Sequence, residues 1–193
     1  MEKEVKMKPK DVGSGEVTFF LEGKEVTANR EKLSAASDFF SVLLNSNTKE
    51  SKEGTIRSEY MNESIMKDVL EFANSGNVQV TKENALDLIE AADYLLMPGL
   101  KTIAGKFVEK EMLSLANCIA CYYFAKRYNC DSLESVVRKF IILNFKAVTK
   151  TQDFLGLESQ QAEEWIRSAR VFDQTTKAAS QTQPRNISMR TSM

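Results

Sequence analysis

The chain has 193 residues, of which 42% are hydrophobic and 27% charged, a composition that suits one or two globular units with a buried core. Its formal net charge of −1 gives the whole chain no electrostatic attraction for nucleic acid or for an anionic membrane. The lack of any apolar run near the roughly 18 residues of a spanning helix, the charged start and the three cysteines predict a cytoplasmic or nuclear protein with free thiols.

The first predicted elements are a flexible arm and a hairpin. Residues 1–14 are charged and carry no regular apolar pattern, which favours a disordered arm. Apolar residues then alternate with polar or solvent-side positions, as in a half-buried strand: Val17, Phe19 and Leu21. Glu22-Gly23 predicts a tight turn into a second strand at residues 24–27.

Two short helices are predicted after the hairpin. Asn29 and Ser37 are residue types that favour the N-cap position, so a helix should begin just after each of them. The second helix carries an apolar face at helical spacing, formed by Phe40, Leu43 and Leu44. The polar residues 45–51 then predict a loop.

Short strands and a helix are predicted in the middle of the chain. Residues 55–57 and 78–80 are the strand candidates. Between them, Asn62 is a candidate N-cap for an amphipathic helix, and Gly76 is placed to end that helix.

From Thr81 onward the pattern becomes helical. Thr81 is a candidate N-cap, and Pro98-Gly99 predicts the end of the helix that it begins. The next helix, at residues 100–113, has apolar side chains at positions i, i+3, i+4, i+7 and i+8. Asn117 is a candidate N-cap for the helix after that.

The last predicted helices lie between residues 131 and 168. Asp131 and Glu134 have the D-x-x-E spacing of a capping box. Residues 153–157 predict a short helical turn, and Ser159 can cap a final helix. From residue 169 the periodicity is lost and Ser, Thr, Gln and Asn predominate, which predicts a disordered tail at residues 169–193.

Three blocks of this sequence resemble kelch-like BTB (POZ) proteins. ANREKLSAASDFF (residues 28–40) resembles the family motif A-H-R-x-x-L-x-A-x-S-x-x-F, and residues 72–100 resemble the F-x-Y-T-G-x-V…EN…LL-x-A-A-D-x-L block. Residues 115–145 resemble the start of the BACK region that follows a BTB domain. The resemblance implies an α+β BTB/POZ domain at residues 15–114, a small sheet of short strands with surrounding helices, and then an all-helical partial BACK region at residues 115–168. Kelch repeats do not appear in this chain.

Chemistry-bearing residues are scarce. The sequence has no histidine, which excludes a Ser-His-Asp or Cys-His arrangement and any histidine metal ligand. Cys118, Cys121 and Cys130 are one thiol short of a closed zinc site and are expected to pack in the core. No glycine-rich phosphate loop follows a predicted strand. We therefore expect no catalysis, no cofactor, no metal and no small-molecule substrate.

The resemblance also implies a cullin-binding loop after the second helix. In BTB adaptors this loop carries a hydrophobic-x-Glu motif, whose apolar side chain fills a pocket of the cullin. The matching residues here are Thr48, Lys49 and Glu50, so a threonine stands in the place of the apolar anchor.

A dimer interface is the second site that the resemblance implies. Glu16 and Arg30 match a charged pocket near the family's dimer interface, and their alternative is a solvated ion pair. Leu33, Ala35 and Ala36 place small apolar residues where two helices could approach closely. The function expected from the sequence is a homodimeric adaptor that binds a cullin scaffold of a cullin-RING ubiquitin ligase. The alternative is a BTB dimerisation module or competitor that does not engage a cullin.

Overall fold

The structure is a computed structural model that describes residues 15–21, 24–46, 55–57 and 62–181. Three predicted features lie outside these residues: the N-terminal arm, the Glu22-Gly23 turn and the loop residues Thr48 to Glu50. Within the described part of the chain, no helix has the length and apolar character needed to cross a bilayer.

A three-stranded sheet with the order β2-β1-β3 forms one face of the first half of the chain: β1 (Glu16–Leu21), β2 (Lys24–Asn29) and β3 (Thr55–Arg57). β1 and β2 form the predicted antiparallel hairpin, with Leu21 opposite Lys24. β3 pairs with β1 in parallel, with Ile56 opposite Phe19. Val17 and Phe19 are fully buried, as their alternation with polar residues predicted.

Five helices surround the sheet: α1 (Arg30–Ala36), α2 (Asp38–Asn45), α3 (Glu63–Ser75), α4 (Ala85–Tyr94) and α5 (Pro98–Phe107). A π-helical turn, Val108–Met112, extends α5. Five further helices complete the described chain: α6 (Cys118–Arg127), α7 (Asp131–Leu143), α8 (Phe145–Val148), α9 (Gln152–Leu155) and α10 (Ser159–Gln181). The predicted α+β unit followed by an all-helical extension is therefore confirmed.

The helix signals in the first half of the chain are confirmed at the atomic level. The side-chain oxygen of Asn29 accepts a hydrogen bond from the Lys32 amide at 3.0 Å, and that of Asn62 accepts one from the Ser64 amide at 2.8 Å. Gly76 ends α3 in the left-handed conformation, with φ of 75°.

The strand predicted at residues 78–80 is wrong. In the part of the chain that the structure describes, these residues join no ladder, and the side chain of Asn84 bonds to the backbone at Gln79 and Thr81. Its amide group donates to the Gln79 carbonyl oxygen at 3.0 Å, and its oxygen accepts from the Thr81 amide at 2.7 Å. The Thr81 hydroxyl accepts a bond from the Asn84 amide at 3.4 Å, and α4 begins only at Ala85.

Pro98 begins a helix rather than ending one. α4 has already ended at Tyr94, and Pro98 occupies the first turn of α5, where its missing N–H would have no partner anyway. Gly99 lies against the ring of Phe72. A Cβ at position 99 would be only 3.1 Å from Cζ of that ring, so a larger residue there would crowd it.

Of the two capping predictions in the second half of the chain, one is confirmed in position and the other is wrong. Asn117 occupies the N-cap position of α6, but its side-chain oxygen accepts from the Ser114 amide at 2.8 Å and so fixes the preceding loop instead of capping the helix. Asp131 is the first residue of α7 instead of its cap, because Cys130 occupies the N-cap position. Glu134 pairs with Arg138 one turn later, at 3.5 Å.

The predicted disordered tail does not begin at residue 169, because α10 continues to Gln181. Trp165 anchors this helix on the second half of the molecule, with its ring centroid 4.7 Å from that of Tyr122. The Arg138 guanidinium lies over both rings, 5.0 Å from Tyr122 and 5.5 Å from Trp165. Once this packed turn has formed, adding further helical residues costs little. Residues 182–193 lie outside the described chain.

Both halves of the molecule share one cluster of buried side chains, which extends from the sheet to Trp165. One close approach between them is at Gly105 on α5. A Cβ at this position would lie 3.1 Å from the Cys130 sulfur and 3.7 Å from Cβ of Leu133.

Candidate protein-interaction surfaces

The α1 face predicted to form a dimer interface is split between core and surface. Leu33 is fully buried in its own protomer, so it stabilises α1 and is not available for a contact between copies. Ala35 is exposed and Ala36 is half-buried. Both line an open groove of about 410 Å³ whose other walls are Phe72 at the end of α3 and Pro98 at the start of α5.

Glu16 and Arg30 lie at the open end of the hairpin, Glu16 at the start of β1 and Arg30 directly after the end of β2. Glu16 is exposed and pairs with Asn29 in the ladder. The Arg30 amide donates to the Gly15 carbonyl oxygen at 2.8 Å, and its guanidinium donates to the Leu44 carbonyl oxygen, also at 2.8 Å. Arg30 therefore joins α1 to the end of α2, and its role in a charged pocket stays a prediction.

Thr48, Lys49 and Glu50 lie outside the described residues, but the point from which their loop departs is described. α2 ends at Asn45, and the hydroxyl of Ser46 donates to the Leu43 carbonyl oxygen at 2.7 Å.

Apolar side chains that are exposed or half-buried lie on α2 and at the end of α4; we call Phe39, Val42, Tyr94 and Leu96 the α2–α4 patch. Val42, Tyr94 and Leu96 are 72%, 58% and 54% exposed. The Phe39 and Tyr94 rings are 5.7 Å apart, and Val42 follows Phe39 by one helical turn. Neighbouring exposed apolar side chains that include an aromatic ring are typical of protein-binding surfaces.

The two elements of the patch are fixed to each other by a buried serine. The Ser37 hydroxyl donates to the Leu95 carbonyl oxygen at 2.5 Å and accepts from the Phe40 amide at 3.0 Å. The predicted cap of α2 therefore also binds the end of α4.

Leu96 has a backbone conformation that usually belongs to glycine. Its φ is 51°, and the Met97 amide donates to the Ala92 carbonyl oxygen at 2.8 Å, the 6→1 bond of a Schellman motif. The left-handed conformation turns the chain so that Met97 is fully buried while Leu96 is exposed. The sequence pattern gave no sign of this, although Tyr94 could have been noticed as an aromatic residue off the apolar face of α4.

The cysteines lie in the second half of the core. Cys118 and Cys130 are buried, and burial raises the pKa of the half-buried Cys121 thiol to about 11. In the portion of the chain that the structure covers, no group of three or more Cys, Asp or Glu side chains could hold a metal ion.

Two family models match the chain. The BTB/POZ domain model matches residues 14–112, and the BACK model, "BTB And C-terminal Kelch", matches residues 118–175.

Similar proteins include gigaxonin and kelch-like proteins. Human gigaxonin is 29% identical over 148 residues, which are 76% of this chain and 25% of gigaxonin. Kelch-like protein 21 of Rattus norvegicus is 32% identical over 120 residues, 62% of this chain and 20% of the relative. The solved BTB domain of human gigaxonin is 28% identical, covers 47% of this chain and 75% of that chain, and has a TM-score of 0.41. The chain thus spans a quarter or less of the length of these full-length relatives.

The two family matches together support the role of a protein-interaction adaptor. The BTB model alone covers more than half of the chain, and the helical unit that follows it matches the BACK model. The chain therefore belongs to the BTB/POZ family and carries a BACK region after its BTB domain.

Proposed function

We propose that this chain is a homodimeric adaptor that binds a cullin scaffold of a cullin-RING ubiquitin ligase, in the cytoplasm or the nucleus. Its role is to hold partners together, without catalysis of its own. The observation that carries the proposal is the α2–α4 patch, which exposes an aromatic ring and two aliphatic side chains beside the start of the loop that contains Thr48 and Glu50.

The patch has the properties of a binding hot spot. Tyrosine is enriched in hot spots, where its ring excludes water and its hydroxyl can still find a partner. The bond from Ser37 to Leu95 and the contact of Phe39 with Tyr94 hold the two elements in place before a partner arrives. Binding therefore costs little conformational entropy at these side chains.

Thr48 sets the affinity for the cullin that we expect. Relative to leucine, two or three buried carbons are missing, at about 0.8 kcal/mol each, and the hydroxyl adds between zero, if it stays hydrated, and about 1 kcal/mol, if it is buried without a partner. The sum of about 2 to 3 kcal/mol corresponds to a dissociation constant about 30- to 150-fold higher than for an apolar anchor. We expect measurable cullin binding that is weaker by this factor.

Calorimetry of the full chain against a cullin N-terminal domain tests the proposal. Tyr94→Ala should weaken binding about 30-fold, the size of a hot-spot loss of about 2 kcal/mol. Val42→Ala should weaken it less, and Val171→Ala is the matched control, because Val171 is 58% exposed on α10, away from the patch. Thr48→Leu should tighten binding and Glu50→Ala should weaken it. If the wild type gives no heat and Thr48→Leu restores none, the ligase proposal fails.

Dimerisation is tested separately by light scattering. We expect the mass of a dimer at micromolar concentration, and the mass of a monomer for Ala35→Arg, which places a charge at the α1 groove. Ala120→Arg, at an exposed alanine of α6, is the control and should remain dimeric. A monomeric wild type would refute the homodimer.

The second candidate function is a BTB dimerisation module or competitor that does not engage a cullin. Threonine in the place of the apolar anchor is the observation that favours it. A dimer mass together with the absence of cullin binding by both the wild type and Thr48→Leu would establish this alternative.

A further inference from the structure

The C-terminal end of α6 repeats the arrangement at the end of α4. Asn129 is left-handed, with φ of 49°, and the Cys130 amide donates to the Ala125 carbonyl oxygen at 2.8 Å. Among the described residues, Leu96 and Asn129 are the two non-glycine residues with positive φ. One belongs to the BTB domain and the other to the BACK region.

A single lysine joins these two helix ends. Lys101, in the first turns of α5, places its ammonium nitrogen 2.5 Å from the Asp93 carboxylate at the end of α4. The same nitrogen donates to the carbonyl oxygen of Tyr128 at 3.0 Å and to that of Asn129 at 3.4 Å, both at the end of α6. A cation at the C-terminus of a helix is favoured by the helix dipole and by the carbonyl groups that lack an intrahelical partner.

Two further contacts cross the same boundary. The Asn129 side-chain amide donates to the Asp93 carboxylate at 3.4 Å. The Glu90 carboxylate, one turn before Asp93 on α4, raises the pKa of the Tyr128 hydroxyl. The side chains of Lys101 and Asp93 are only 17% and 27% exposed, so solvent screens their attraction less than that of an ordinary surface pair.

We propose that Lys101 is a positioning residue, which holds the α4–α5 turn, with its exposed Tyr94 and Leu96, in a fixed orientation against the BACK region. Tyr94 directly follows Asp93, and Leu96 lies within the turn that the Asp93–Lys101 pair closes. The BACK region thereby contributes to partner binding through the geometry of the BTB patch as well as through its own surface. The consequence for binding rests on the proposed function, whereas the structural role can be measured without a cullin.

Amide hydrogen exchange of the free full chain tests the structural role. Lys101→Met keeps the aliphatic stem and removes the charge, and it should speed exchange about tenfold at both turns, at the Leu96 and Met97 amides and at the Asn129 and Cys130 amides. Lys101→Arg, which keeps the charge and its donors, should restore protection at both. Lys67→Met is the matched control, because it breaks the Lys67–Glu63 pair on the surface of α3. Unchanged exchange in Lys101→Met, or a change at only one of the two turns, would overturn the proposal.

Binding of the cullin N-terminal domain by the same variants tests the functional consequence. Lys101→Met should raise the dissociation constant about tenfold, because a smaller fraction of molecules then has the binding-competent turn. Lys101→Arg and Lys67→Met should bind like the wild type. Equal binding by Lys101→Met and the wild type would overturn the positioning role. If the wild type itself does not bind, the proposed function fails, and hydrogen exchange alone then tests whether Lys101 holds the α4–α5 turn against the BACK region.

Asp93→Asn provides a second variant should Lys101→Met fail to fold. It removes the charge attraction, keeps an acceptor for Asn129 and should change exchange at both turns in the same direction by a smaller factor. Exchange at wild-type rates in Asp93→Asn would count against the proposal.

Discussion

Replacement of Gly105 by alanine probes a close approach between α5 and the start of α7, where the BTB domain meets the BACK region. Gly105 is buried inside α5, and the added Cβ would lie 3.1 Å from the sulfur of Cys130, which is itself buried. Leu133 Cβ, at 3.7 Å, is at ordinary contact distance and needs no adjustment. The sulfur is therefore the atom that decides the outcome.

Two opposing effects set the change in the free energy of unfolding that Gly105→Ala causes. Alanine in a helix interior is favoured over glycine by about 0.5 to 1 kcal/mol, while overpacking a well-filled core costs about 1 to 3 kcal/mol. We expect Gly105→Ala to lower the free energy of unfolding by about 1 kcal/mol. In a Cys130→Ala background the sulfur is absent, so Gly105→Ala should raise the free energy of unfolding by about 0.5 to 1 kcal/mol. The sign reverses, with a coupling energy near 2 kcal/mol.

Urea denaturation measures all four members of this double-mutant cycle. Trp165 is the chain's single tryptophan and is buried against Tyr122, so its fluorescence reports unfolding of the BACK side. The reasoning is refuted if Gly105→Ala stabilises the otherwise wild-type chain, or if the coupling energy is below about 0.5 kcal/mol, the range in which independent sites add.

Three further predictions concern single side chains. Leu96→Gly should be about 1 kcal/mol more stable than Leu96→Ala, the reverse of the usual order, because only glycine adopts positive φ without strain; urea midpoints in the opposite order would contradict this. Ser37→Ala should cost about 2 to 3 kcal/mol, since it removes the cap of α2 and leaves the buried Leu95 carbonyl without its donor; a loss in urea denaturation below 1 kcal/mol would argue against that role. Because burial raises the pKa of the Cys121 thiol to about 11, its contribution to stability is complete below the unfolded thiol's pKa, roughly 8.5, and is lost as pH rises towards 11. Cys121→Ala should therefore flatten the alkaline fall of the urea midpoint, and an equal slope in both proteins would exclude this cause.

Local chemistry accounts for the elements that could be predicted from sequence. The alternation of Val17 and Phe19 defines which face of β1 is buried, and Asn29, Ser37 and Asn62 cap their helices through hydrogen bonds that span only two or three residues. Such bonds depend on residue type and spacing, so they can be inferred before the fold is known.

Particular contacts in the folded chain decided the features that could not be predicted. Residues 78–80 have strand-forming side chains, but no described strand pairs with them, and the Asn84 side chain bonds to the backbone at Gln79 and Thr81. A proline can follow the end of one helix or stand in the first turn of the next. Because the left-handed Leu96 already ends α4, Pro98 stands in the first turn of α5. α10 extends beyond Ala169 to Gln181, and its Trp165 packs on Tyr122, far away in sequence.

The same division holds for the candidate sites. The sequence by itself indicated the BTB/POZ and BACK family through the resemblance of three blocks, which the family models confirm, and it indicated the order of the main helices through their periodicity. The match of Thr48, Lys49 and Glu50 to a cullin-binding motif stays a prediction. Only the tertiary structure decided that Leu33 belongs to the protomer core, that Tyr94 and Leu96 join Val42 in one exposed patch, and that Lys101 connects two helix ends. Burial and proximity are properties of packing between elements, and no local pattern of residues contains them.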